Sequence, residues 1–243
     1  MSRKQVALVT GSSSGIGAAI ARRLSAEGMA VVVNAVRSVE AGKELADSLP
    51  DARFVQADVS DEDQARALTD AVIAEYGQLD LLVNNAGVTH PIPHTDLEAA
   101  TGDVWREILG LNVIGTWQTT VAAMPHLRRS ADGHVVNISS VAGTRPAGSS
   151  IPYAVSKAAV DHMTRLLAAS AGPAVRVNAV APGLIDTAWT KDFTEIRERV
   201  EATTPLRRVG TTDDVAELVV GLHRARYSTG QVVLADGGAH LLI

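Results

Sequence analysis

Tyr153 and Lys157 stand four residues apart in the run Ser150-Ile-Pro-Tyr-Ala-Val-Ser-Lys, and Ser140 lies thirteen residues before the tyrosine, at the end of an apolar stretch. On a helix, residues i and i+4 are stacked neighbours, so a phenol and an ammonium would face one cleft about a turn apart. At an effective dielectric near 20, a cation about 4 Å away favours an anion by roughly 4 kcal/mol, or about three pKa units. A phenol that ordinarily titrates at about 10 would then exchange a proton near neutrality. The bland alternative makes Tyr153 a half-buried helix residue and Lys157 a solvated one. A match this short occurs by chance, so the rest of the chain has to decide.

The elements that would carry these residues are legible as short runs of branched aliphatics separated by helix-length, Ala-rich and charged segments. Seven strands are predicted: Val6 to Thr10, Ala30 to Asn34, Arg53 to Gln56, Leu79 to Asn84, His134 to Ile138, Val175 to Ala181 and Val232 to Ala235. Several are apolar throughout instead of alternating, as expected of strands covered by helices on both faces. The fold class is therefore α/β, a doubly wound, seven-stranded parallel sheet. The chain of 243 residues reads as one domain, since no linker or solenoid repeat divides it. The least regular segments, 88–103 and 184–212, follow predicted strands, and ligands of open α/β sheets bind outside the carboxyl ends of strands, so both are expected to wall a substrate site.

The first strand runs into Thr10-Gly-Ser-Ser-Ser-Gly-Ile-Gly17, followed by a helical stretch, Ala18 to Glu27. Glycines let backbone approach a pyrophosphate, and a helix N-terminus supplies free N–H groups and partial positive charge. Gly11, Ser13, Ser14, Gly15, Ile16 and Gly17 are thus cofactor candidates. Dinucleotide sites for NAD place an acidic residue about 20 residues further on, to hold the ribose 2′-hydroxyl. Here the region reads Asn34-Ala-Val-Arg-Ser38, and the first acid is Glu40, set in the next helix. Arg37 suits a 2′-phosphate, which favours NADP(H) over NAD(H); its alternative is a solvated loop cation.

These residues resemble the short-chain dehydrogenase/reductase family, in its compact single-domain branch with a Rossmann-type sheet, and the match covers nearly the whole chain. Thr10 to Gly17 is similar to the family's cofactor turn, Asp58-Val59 to its adenine contact, and Asn84-Asn85-Ala86-Gly87 to the motif ending the fourth strand. Asn112, Ser140, Tyr153 and Lys157 match its catalytic set; Pro182-Gly183, Ile185 and Thr187 match its nicotinamide-side loop. The resemblance implies that Ser140 binds the substrate oxygen and that Tyr153 gives or takes its proton as general acid or base. It implies that Lys157 depresses the Tyr153 pKa and holds the nicotinamide ribose, while Asn112 holds a water linking Lys157 to solvent. Taken singly, Ser140 reads as a strand-end cap, Asn112 as a helix-kink hydrogen bonder and Thr187 as a helix N-cap.

The expected activity is hydride transfer between a nicotinamide and a ketone or secondary alcohol. Candidate pocket residues are His90, Ile92, His94, Val141, Ala142, Arg145, Leu184 and Trp189, with Arg145 open to a substrate carboxylate or to solvent. His90 and His94 have an i, i+4 spacing but no adjacent ligand cluster, so no metal is expected. The alternatives are a regulatory protein that binds cofactor without turnover, and a reductase of carrier-bound 3-oxoacyl thioesters. An intact Ser140, Tyr153 and Lys157 set argues against the first. The turn 170–174 argues against the second, because it lacks a basic residue that members of the family acting on carriers often place there. An enoyl reductase of the family would space its tyrosine and lysine more widely, and a dehydratase or epimerase would have a longer chain.

Net charge of −5 without a basic stripe, and 3% aromatic residues, exclude nucleic acid as an expected partner. No apolar run reaches membrane-spanning length, and the absence of cysteine with no signal-peptide core points to the cytoplasm. The segment from Tyr153 to Ser170 is apolar or small on several faces, which predicts self-association; the resemblance implies a homotetramer.

Overall fold

The computed structural model describes residues 3–191 and 193–241. Seven parallel strands, β1 (Val6–Val9), β2 (Ala30–Ala35), β3 (Ala52–Gln56), β4 (Leu81–Asn84), β5 (Gly133–Ile138), β6 (Val175–Pro182) and β7 (Val232–Ala235), form one sheet in the order β3-β2-β1-β4-β5-β6-β7. The order runs outward from β1 in one direction and then, from β4, in the other. The switch point therefore lies between β1 and β4, where open α/β sheets leave a crevice for ligand.

Among the described residues, eight α-helices connect the strands: α1 (Gly15–Ala26), α2 (Val39–Asp47), α3 (Glu62–Tyr76), α4 (Gly102–Leu109), α5 (Thr116–Leu127), α6 (Ile151–Ala171), α7 (Thr194–Thr203) and α8 (Thr212–Arg224). Successive strand residues point to opposite faces, and both faces are covered. Ala7, Val9, Val31, Val33, Leu81, Val83 and Val136 pack on α1, α2 and α8, while Val6, Leu8, Ala30, Val32, Leu82 and Val135 pack on α3, α5 and α6. This is why the strands read as unbroken apolar runs. Each fully buried Val or Leu contributes about 1.5–3 kcal/mol of transfer free energy.

Local signals start and stop the helices. The Asp61 side chain accepts from Gln64 N at 2.9 Å to open α3, and Gly77, at φ 69°, closes it in the left-handed conformation that costs glycine least. Thr211 and Asp214 form a reciprocal capping box on α8. Ser150 accepts from Tyr153 N at 3.4 Å, and Pro152 occupies the first turn of α6. That cap places Tyr153 at the mouth of the helix and Lys157 one turn in.

Between α4 and α5 the chain widens into a π-helical segment, Gly110–Gly115, that carries Asn112. At Gly115 a Cβ would lie 3.1 Å from the Val59 carbonyl, so the segment passes close under the loop after β3. The irregular stretch 88–101 precedes α4 as expected, but 184–212 is partly helical, with a 3₁₀ turn at Ala188–Thr190 followed by α7. No helix among the described residues is long and apolar enough to cross a membrane.

Candidate active site

A cavity of about 1660 Å³ opens along the carboxyl ends of the strands, with the glycine turn after β1 at one end and α7 at the other. The turn itself is built by polar side chains that the apolar strands leave at their ends. Asn34 is the penultimate residue of β2: its Oδ1 accepts from Gly11 N at 3.2 Å, and its Nδ2 donates to the carbonyls of Val55 and Ala57. The Ser12 hydroxyl donates to Val9 O at 2.6 Å and accepts from Asn34 N at 3.0 Å. Thr10 Oγ1 accepts from the backbone N–H groups of Asn85 and Ala86, and Asn85 Nδ2 donates to the carbonyls of Thr10 and Gly11. The ends of β1, β2 and β4 are thereby locked into one rim.

Glycine is required where these loops meet. Gly11 has φ 59°, and a Cβ there would lie 2.8 Å from Ala86 Cα; at Gly17 a Cβ would lie 2.5 Å from Asn85 Nδ2 and 2.6 Å from Gly11 O. The N-terminus of α1 has no side-chain cap at Ser14 and no acidic residue in its first turn, so its free N–H groups and dipole suit a phosphate. Further along, a Cβ at Gly87 would stand 3.2 Å from Asn112 Oδ1 and 3.7 Å from Lys157 Nζ. Glycine there keeps the floor of the groove open over the lysine. Thr187 caps the 3₁₀ turn in a reciprocal box with Thr190, and its methyl comes within 3.8 Å of where a Gly15 Cβ would be, so this loop overhangs the glycine turn.

The expected cofactor residues fall along this groove by different means. Ser13, Ser14, Gly15, Arg37, Asp58, Ala86, Gly87, Pro182, Gly183 and Thr187 line it. Arg37 stands exposed at its rim, and Glu40 is drawn away to Lys43, 3.2 Å off. Val59 and Ile185 also border it, but they are 3% exposed and pack into the core, so only their backbones can offer polar contact. Asn85 also lines it, with its Nδ2 spent on the glycine turn.

Tyr153, Ser140 and Lys157 converge where β5 meets α6. Ser140 Oγ accepts from Ala142 N at 3.2 Å, capping the 3₁₀ turn Val141–Gly143, and the same hydroxyl favours the charged form of the Tyr153 phenol. The capping and substrate-binding readings of Ser140 are thus compatible. Lys157 is 5% exposed and donates to Ile138 O at 2.9 Å; its Nζ lies 5.6 Å from the centre of the Tyr153 ring. Burial pushes the Lys157 ammonium down to about 8, against the pull of Asp161. Burial pushes the Tyr153 phenol up, opposed by the Ser140 hydroxyl. That direction is the reverse of the sequence expectation. The lysine head group is anchored on the Ile138 carbonyl and lies near the ring, so desolvation of the phenolate prevails.

The Asn112 side chain is held within the protein. Its Oδ1 accepts from Val88 N at 2.8 Å, and its Nδ2 donates to Val88 O and to Ser156 Oγ, both at 3.0 Å. The amide ties the π-helical segment to the loop after β4 and to α6, and its hydrogen-bonding capacity is largely committed to these struts. Its backbone carbonyl accepts from Thr116 Oγ1 at 2.8 Å and keeps a second lone pair for a further donor.

On the substrate side, Ile92, His94, Val141, Ala142, Arg145, Leu184 and Trp189 line the cavity, joined by Phe193, Ile196 and Val200. His90 does not line it: its Nε2 is 2.8 Å from Glu107 Oε2 at the surface. Arg145 donates to Ala239 O at 2.7 Å, so its guanidinium holds the C-terminal turn against the cavity. Trp189 is half exposed, edge-on to Tyr153 with ring centres 6.3 Å apart. Among the described residues no three His, Asp or Glu side chains gather in a way that could hold a metal ion. Sequence reasoning missed Ser12 and Asn34; a lone Asn closing the apolar run Ala-Val-Val-Val-Asn was the available signal.

The sheet order and this groove define a dinucleotide-binding oxidoreductase of the doubly wound class. A family model described as "Enoyl-(Acyl carrier protein) reductase" matches residues 11–240. "Granaticin polyketide synthase putative ketoacyl reductase 2" of Streptomyces violaceoruber is 68% identical over 240 residues, covering 98% of this chain and 96% of the relative. "Cis-4-hydroxycyclohexanecarboxylate dehydrogenase" of Sinomonas cyclohexanicum is 37% identical, covering 97% and 96%. The crystal structure of a "putative short-chain dehydrogenase/reductase from Burkholderia xenovorans" superposes with a TM-score of 0.93 at 36% identity, covering all of both chains. The chain belongs to the short-chain dehydrogenase/reductase family. It is an oxidoreductase, and the family implies a nicotinamide cofactor.

Proposed function

We propose that the chain is an NADP(H)-preferring ketone reductase whose substrate is a keto group of a polyketide-type intermediate. The observation that carries the chemistry is the convergence of the Tyr153 and Ser140 hydroxyls and the Lys157 ammonium on the wall of a groove that begins at a free helix N-terminus. The nicotinamide, when bound, supplies or accepts the hydride. Gly11 to Gly17 and α1 receive the phosphates, Arg37 the 2′-phosphate, and Lys157 the ribose nearest the reacting ring.

Ser140 donates to the substrate oxygen, and Tyr153 Oη transfers the proton. A phenol held above its ordinary value stays protonated at neutral pH, which suits it as the acid of a reduction. The name of the 68%-identical relative supports the substrate class. The family model's description speaks of enoyl reduction, whereas the four-residue spacing of Tyr153 and Lys157, with Ser140 beside the phenol, favours a carbonyl. Free and carrier-bound ketones are both compatible with an open groove.

Self-association belongs to the same reading. Ile114, Trp117 and Val121 present a half-exposed apolar stripe at i, i+3 and i+7, and Val155 and Leu166, eleven residues apart, are half-exposed on α6. Patches of this kind mark interfaces, and a homotetramer is the proposed assembly.

The test replaces Tyr153 with Phe and follows nicotinamide absorbance with a panel of ketones. Loss of a general acid predicts a fall of about 10²- to 10⁴-fold in kcat, with nucleotide binding retained; unchanged turnover refutes the mechanism. Arg37→Ala is expected to weaken NADPH binding selectively over NADH.

A further inference from the structure

Tyr153, Lys157 and Asp161 are spaced i, i+4 and i+8 on α6 and so occupy one stripe of the helix. The first two belong to the proposed proton-transfer group. The third is a carboxylate that is 3% exposed, and among the described residues neither of its oxygens receives a hydrogen bond of normal geometry. Buried polar atoms without such partners are few in folded proteins, and each calls for an explanation.

We propose that Asp161 is a positioning residue of the active site: its carboxylate, one turn beyond Lys157 on the inward stripe of α6, is the buried anion that keeps the Lys157 head group an ammonium anchored on the Ile138 carbonyl. The inference rests on the reductase reading and deepens it.

Three observations support it. Lys157 is itself buried, and among the described residues the one hydrogen bond of its Nζ is to a neutral carbonyl; a charge taken out of water needs a counter-charge in the same low-dielectric region. Asp161 lies where the Ser140-bearing turn rests on the helix. A Cβ at Gly143 would stand 2.9 Å from Asp161 Oδ2 and 2.8 Å from the Lys157 carbonyl carbon. The Ser139 hydroxyl, next to Ser140, donates to Lys157 O at 3.3 Å and favours the charged form of Asp161.

The charged groups that act on Asp161 are Arg165 and Lys157, both on α6. The β6 strand, the 3₁₀ turn, α4 and the π-helical segment pack against that helix, and among the described residues none supplies a charged group that acts on Asp161 or Lys157. Burial raises the Asp161 carboxyl, and Ser139, Arg165 and Lys157 pull it back. Asp161 in turn raises Lys157 against its own burial.

The test reads Lys157 directly and needs no substrate. Protein labelled with ¹⁵N at lysine Nζ is titrated by NMR, and the Lys157 resonance is assigned by its disappearance in Lys157→Arg. In Asp161→Asn the Lys157 midpoint is expected to fall by about two pH units, the size of a Coulomb interaction over about 6 Å at an effective dielectric near 20. Asp161→Glu is expected to restore part of it. Should Asp161→Asn fail to fold, Asp161→Ala is read the same way.

An unchanged midpoint in the folded variants overturns the proposal. The alkaline limb of the kcat/KM profile for ketone reduction is expected to move with the midpoint. A shifted midpoint with an unmoved limb also overturns it, because the lysine's charge would then not serve the reaction. If the parent protein reduces no ketone while the midpoint shifts, the reductase reading fails and the electrostatic pairing of Asp161 with Lys157 stands.

Discussion

His134 and His223 stack in the interior with ring centres 5.7 Å apart, at the end of the sheet opposite the groove. His134 is fully buried; its Nε2 meets Asn178 Nδ2 at 3.0 Å and its Nδ1 has no partner among the described residues. Burial, then Arg176 and His223, hold its imidazole well below the ordinary value of 6.5. His223 is lowered too, by burial first, with Asp132 opposing.

The sign for stability follows from these directions. As pH falls through 6.5 the unfolded chain takes up a proton at His134 and the folded chain does not, so stability present above 6.5 is lost progressively toward the lower folded value. Each pH unit costs about 1.4 kcal/mol per proton. A descent from pH 6.5 to 5.0 therefore removes about 2 kcal/mol through His134, equivalent to roughly 4–8 °C in Tm for a chain of this size. The experiment compares Tm and urea midpoints of the parent and His134→Gln between pH 7.5 and 5.0. The variant is expected to start less stable and to lose about 2 kcal/mol less over that range. Parallel pH dependences would refute the assignment. Paired carboxylates do not confuse the reading, since those held low, Asp51 and Asp214, lose their stabilisation as pH falls through a range below 3.8.

Other outcomes are equally specific. Gly17→Ala is expected to weaken nucleotide binding at least tenfold, by calorimetry, because a Cβ 2.5 Å from Asn85 Nδ2 must push apart the rim that Asn85 ties together; its stability should fall by about 1–3 kcal/mol. Gly143→Ala should displace the Ser140 turn from α6 and lower kcat more than it raises the nucleotide Kd, as read in steady-state kinetics and direct titration. Asn137 joins Asn84 Nδ2 to Thr164 Oγ1, both at 2.9 Å, beneath the site, so Asn137→Ala should cost about 1–3 kcal/mol for each buried group left unpaired, measured by denaturant unfolding. A Trp117→Lys, Val121→Lys pair should reduce the sedimentation coefficient while leaving the monomer's circular dichroism intact.

The strands, their parallel arrangement and the glycine turn were legible because they depend on local rules: two-sided burial makes strands apolar throughout, and a phosphate-cradling turn needs glycine directly after the first of them. The seven predicted strands agree with the observed ones to within about two residues. The spacing of Tyr153 and Lys157 was likewise a matter of helical period. Other features depended on contacts between residues far apart in the chain. Asn34 and Ser12 gain their roles only where β1 and β2 end side by side, and Asn112 is committed to Val88 and Ser156 only once the π-helical segment packs there.

The sequence by itself determined which groups could move a proton and which turn could hold a phosphate, since residue type and helical or strand period suffice for both. Only the tertiary structure decided their electrostatics. The spacing of Tyr153 and Lys157 implies a depressed phenol, yet folding anchors the ammonium on Ile138 and buries both groups, so Tyr153 moves up and Lys157 down. Burial and the direction of a lysine head group are properties of the packed site, and no spacing along the chain encodes them.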